Sequence, residues 1–139
     1  MRTAINKIIE AYAKCVGFNY YTGIVPKELA GTGKQPFILW VAPDAVHENN
    51  RGGRYRYNST IYVVSEATKD DEQTARLDEL QSICAGLHRE FRDPRYIEEN
   101  GGNVYAESVA TIRPKYGFDN SGAIAVEMNI TIYYDNGCD

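Results

Sequence analysis

The sequence predicts an α+β fold: an antiparallel sheet of about four strands with two helices packed on one face, in the order α-β-β-α-β-β. Three observations lead there. Segments 3–16 and 70–91 repeat apolar residues at steps of three and four, the helical period. Residues 123–134 alternate apolar and polar, the period of a strand with one buried face. The strand-like segments are joined by hairpin-like connections, which favours antiparallel pairing with the helices gathered on one side. The chain has 139 residues, read as a single domain over 1–139, enough to bury a core without disulfide or metal staples.

Taken in order, the first helix places Ile5, Ile8, Ile9, Tyr12 and Val16 on one stripe. Thr3 can cap its start and Gly17 can end it in a left-handed conformation. Residues 17–35 carry four glycines and a proline and read as loop, with a short extended piece near Tyr20–Val25. "PFILWVAP", 36–43, is a short apolar run between prolines and reads as a strand. The polar stretch that follows holds a turn signal at Asn50–Gly53 and leads into a second strand over 55–66, giving a hairpin with a long tip.

The second helix carries Leu77, Leu80, Ile83, Cys84, Leu87 and Phe91 as a continuous stripe. Asp70, Asp71 and Glu72 stand in its first turn and His88, Arg89 and Arg92 in its last, each sign matching the helix dipole. Asp93–Pro94 ends it. Residues 104–113 read as a third strand, 114–122 as a connection turning at Asp119–Gly122, and 123–134 as the closing strand. There Ile124, Val126, Met128, Ile130, Ile132 and Tyr134 share the buried face.

The stretch "ELAGTGKQPF", 28–37, has the texture of a phosphate-binding loop but fails its requirements. The position five before Gly33 is Glu28 rather than glycine. Gln35 stands where a magnesium-binding hydroxyl is needed, and Pro36 opens a strand where a helix should begin. No nucleotide or other cofactor is expected. His47 beside Glu48, and His88 one turn after Cys84, are the nearest approaches to metal ligands; neither reaches a ligand set, and no metal is expected. No serine or cysteine stands in a nucleophile motif, so the sequence points away from an enzyme.

Composition narrows the partners. The formal net charge of −4 argues against a general nucleic-acid binder. No apolar run reaches the ~20 residues that cross a bilayer, and Lys7, Glu10 and Lys14 interrupt any leader-like core, which predicts a cytoplasmic protein. Three widely spaced cysteines, Cys15, Cys84 and Cys138, make no disulfide framework; Cys15 and Cys84 read as small core residues and Cys138 as exposed. Tyrosine is abundant, 11 copies against four Phe and one Trp, which suits sheet packing and interfaces alike. In "RGGRYRY", Arg51, Arg54 and Arg56 interleave with Tyr55 and Tyr57. That is either a contact surface for an acidic protein partner or a solvated hairpin end.

Three features in order resemble the tail-terminator, or tail-to-head joining, proteins of long-tailed phages. They are the helix "INKIIEAYAKCVG"; "PFILWVAPD" followed by "RYNSTIYVVSEATKDDEQTARLDELQSICAGLHREF"; and the closing strand "AIAVEMNITIYYDN". The likeness covers most of the chain and rests on element order, length and texture. It implies a virion protein, assembled in the bacterial host cytoplasm, that self-associates into a hexameric ring. Such a ring caps the tail tube and meets the head connector. The resemblance implies no catalytic residue and no membrane, with DNA passing through without specific binding. Arg51, Arg54, Tyr55, Arg56 and Tyr57 are the residues proposed for subunit contact from the sequence itself. Two other readings stay open: a small-molecule-binding α+β domain, and another connector or tube-like phage protein.

Overall fold

The computed structural model describes residues 2–23, 36–41, 45–47, 53–66, 72–97, 102–106, 110–118 and 123–135. The elements run α1 (Arg2–Val16), β1 (Asn19–Thr22), β2 (Phe37–Val41), β3 (Ala45–His47), β4 (Arg54–Ser65), α2 (Gln73–Arg92), β5 (Arg95–Ile97), β6 (Gly102–Tyr105), β7 (Thr111–Phe118) and β8 (Ala123–Asp135).

The sheet corrects the predicted fold. It has eight strands, with the path β1-β2-β4-β8-β6-β5 and with β3 added to β4 and β7 to β8. It is mixed rather than antiparallel, because β1 runs parallel to β2. The predicted count fell short because β1, β3, β5 and β6 are three or four residues long. Segments that short show no period of their own; neighbouring strands define them. Residues 104–113, expected as one strand, are divided between β6 and β7. Part of the expected connection, 114–118, lies inside β7.

The centre of the sheet is the β4–β8 pair, two strands in register from Arg54↔Asp135 to Ser65↔Ile124. β2 and β3 lie along the outer edge of β4, and β6 and β7 along the outer edge of β8. The helices share one face. Ala4, Ile5, Ile8, Ile9 and Ala13 of α1 and Leu80, Cys84, Leu87 and Phe91 of α2 join one buried cluster with Ile38, Trp40, Ile61 and Val63. The even-numbered apolar residues Ile124 to Tyr134 of β8 complete it. Burying a side chain of this size is worth about 1.5–3 kcal/mol, so this layer is the main source of stability. Trp40 keeps its indole N–H satisfied there by donating to Ser59 Oγ at 2.9 Å.

α1 starts at Arg2, so Thr3 sits inside the helix rather than capping it. It ends as expected at Gly17, at φ 78°. Phe18 N–H donates to Ala13 O at 2.8 Å and Gly17 N–H to Lys14 O at 3.2 Å, which satisfies the last carbonyls. Glu72 is the N-cap of α2 and makes no side-chain cap bond. Asp70 and Asp71, the phosphate-loop-like residues 28–35, Arg51, Cys138, residues 50–52 of the turn expected at Asn50–Gly53 and the turn expected at 119–122 lie outside the described residues.

Candidate assembly surfaces

Strand alternation decides where the Arg/Tyr segment goes. Tyr55 and Tyr57 point to the helix side of β4, and Arg54 and Arg56 to the opposite face. Tyr57 is 1% exposed and belongs to the core, its ring 6.2 Å from Trp40 with Arg2 above it at 5.1 Å. Burial raises its phenol pKa, with Arg2 opposing the shift. Tyr55 is half-buried against the same core. Arg54, 7% exposed, lies over the ring of Tyr133 at 4.1 Å and that of Tyr105 at 5.7 Å, and those two rings stack at 5.4 Å. The segment is thus split between two layers and does not form one contact patch. Tyr105 and Tyr133, which complete the Arg54 stack, were out of reach of sequence reasoning because they come from β6 and β8. The register Tyr105↔Tyr133 joins them.

The face away from the helices changes character along its length. Arg54 opposite Asp135 and Arg56 opposite Tyr133 form one end. In the middle, Thr60 Oγ1 and Asn129 Oδ1 hydrogen-bond at 3.1 Å across the strands. Next, Tyr62 stands opposite Glu127, with Arg113 3.6 Å from Glu127 and the Lys115 ammonium 5.4 Å above the Tyr62 ring. Burial, then the Glu127 carboxylate, raises the Tyr62 phenol pKa. Beyond it, Phe37, Leu39, Val64, Ala123 and Ala125 are buried at 0–1% exposure as a second apolar cluster. β2 is therefore covered on both sides, which explains why "PFILWVAP" is apolar throughout rather than alternating.

Two of the sheet's outer strands, β1 and β7, differ. β1 is Asn-Tyr-Tyr-Thr, with neither charge nor proline, and among the described residues it pairs with β2 alone. β7 carries Arg113, Pro114 and Lys115, all exposed, and among the described residues pairs with β8 alone. Proline and cations on an outer strand discourage indiscriminate edge pairing.

A cleft of about 690 Å³ opens where α1 meets the end of α2 and the start of β5. Ile8, Ala11, Tyr12 and Cys15 line it, with Lys7, Glu90 and Arg95. Arg95 pairs with Glu90, and Tyr12 Oη donates to Ile83 O at 2.8 Å, tying the helices together. Cys15 is exposed rather than a core residue, because the buried stripe of α1 passes through Ala13 and leaves residue 15 outside it. Cys84 is fully buried, and burial pushes its thiol up to about 12. No group of three or more His, Cys, Asp or Glu side chains that could hold a metal ion occurs among the described residues. No described helix is long and apolar enough to cross a membrane.

No family model matches the chain, and no curated protein matches it.

Proposed function

We propose that this chain is a structural assembly subunit that closes into a ring, in the manner of the tail-terminator proteins that its sequence resembles. The observation that carries the reading is the unlikeness of two outer strands at one level of the sheet, β1 uncharged and β7 basic with a proline. A ring requires a heterologous contact, in which one surface of a copy meets a different surface of the next. Two unlike strands that, among the described residues, each pair on one side only supply such a pair. The helices cover one face of the sheet, and the middle of the other carries the polar Thr60–Asn129 pair. In this reading the ring caps a tube and presents its other side to a head connector. The test is the absolute mass in solution across a concentration series, with images of the same sample. A closed oligomer seen as rings supports the proposal.

A second reading, a small-molecule-binding domain, is favoured by the α1–α2 cleft with its apolar floor and charged rim. It predicts a compact monomer or dimer whose Cys15 is protected from thiol reagents by a bound ligand.

A further inference from the structure

The pairing registers place β1 and β7 at the same level on opposite ends of one five-strand band. Successive partners read Tyr21–Leu39–Tyr62–Glu127–Arg113 in one row and Thr22–Trp40–Ile61–Met128–Ile112 in the next. β1 runs with β2, and β4, β8 and β7 each reverse the strand before, so β7 runs opposite to β1. Joined end to end, β7 of one copy and β1 of the next would meet antiparallel, the more favourable pairing.

Backbone polarity agrees. Asn19 N–H donates to Pro36 O at 3.0 Å, which turns the main-chain groups of Asn19 and Tyr21 toward β2. Those of Tyr20 and Thr22 then point off the sheet, because successive residues of a strand alternate. Carried across the registers, the same alternation turns Thr111, Arg113 and Lys115 toward β8 and leaves Ile112 and Pro114 pointing outward. Pro114 therefore sits where its missing N–H takes no bond from the β7–β8 ladder. The side chains are also matched. Arg113 and Lys115 of β7 and Tyr21 of β1 project from the same face of the sheet, and Lys115 already lies over a tyrosine, Tyr62, within one copy.

We infer that β1 of one copy pairs antiparallel with β7 of a second copy, with Thr22 opposite Ile112 and Tyr20 opposite Pro114, so that the sheets run on from subunit to subunit. Thr22 and Ile112 exchange two main-chain hydrogen bonds. Tyr20 N–H gives a third to Pro114 C=O, and Arg113 and Lys115 approach the Tyr21 ring. The inference rests on the ring reading above and names its interface. The contact is short, so its stability comes from closure rather than from one junction.

Cross-linking between two variants, each with one introduced cysteine, tests it. Asn19→Cys and Lys115→Cys, both at exposed positions, are made separately in a Cys15→Ser, Cys138→Ser background that keeps buried Cys84. They are then treated with a short bismaleimide, alone and mixed, while light scattering reports the mass. Cross-linking only in the mixture is expected. Asn19→Cys linking to itself shows a two-fold β1–β1 contact and overturns the junction. An oligomer without any cross-link overturns the junction and leaves the ring standing, whereas a monomer at every concentration overturns both. As a second variant, Thr22→Pro removes the outward N–H from the edge, with Thr22→Val as its control because both lose the Thr22 Oγ1 bond to Trp40 O. Loss of the oligomer with an unchanged circular dichroism spectrum is expected, and an unaffected oligomer overturns the junction.

Discussion

Gly102 of β6 lies against the end of β8, where a Cβ would stand 2.9 Å from Asp135 O and 2.7 Å from Tyr134 Oη. Backbone cannot yield there as a flexible side chain could, so Gly102→Ala should cost roughly 1–3 kcal/mol, read as a lower urea midpoint. Ser59→Ala should cost about 1–3 kcal/mol as well, because it leaves the Trp40 indole N–H buried without its acceptor. Near-ultraviolet circular dichroism followed through unfolding would report that loss. The thiols separate cleanly. Cys15 is exposed and Cys84 is buried, so a thiol reagent at neutral pH should label Cys15 in the native protein and reach Cys84 only on unfolding. Cys84 rises from an ordinary value of 9.0 to about 12, so the native state keeps a proton that the unfolded state gives up. Its contribution is complete below pH 9 and is lost as pH rises toward 12. The buried phenol of Tyr57 and the partly buried phenols of Tyr12, Tyr20 and Tyr62 are all raised and act in the same direction from pH 10 upward. Stability measured by thermal unfolding should fall between pH 9 and 12; stability that rises there contradicts the burial of these groups.

At the scale of elements, the long segments were legible and the short ones were not. α1 and α2 announced themselves by their apolar stripes, and β8 by an alternation that burial reproduces from Val126 to Tyr134, Ala123 and Ala125 being buried on the other face. Leu87→Ala on the α2 stripe should cost about 2–5 kcal/mol, whereas Gln81→Ala on its exposed side should stay within about 0.5 kcal/mol; denaturant titration distinguishes them. β1, β3, β5 and β6 exist because a neighbouring strand offers a free edge, information held in the register rather than in three or four residues. The Arg/Tyr segment failed as a single patch for a related reason. Sequence adjacency suggested one surface, but a strand sends neighbours to opposite faces, so Tyr57 joined the core and Arg54 stacked on Tyr133. The features that now matter most, Thr22 and Ile112 facing outward at opposite ends of one row, depend on a pairing path of five strands.

For the whole molecule, the five-strand band runs from β1 to β7, which among the described residues each pair on one side only, and the proposed assembly joins them. Two unlike ends at one level, running in opposite directions, fit a head-to-tail contact; a two-fold dimer would instead join like to like. The dependence is cooperative, because each short junction gains most when the last copy completes the circuit. Mass in solution, measured by light scattering across a concentration series with negative-stain images of the same sample, tests this most directly. The account predicts a single closed oligomer visible as rings, six copies if the resemblance holds. A compact dimer whose mass does not change with concentration would contradict it.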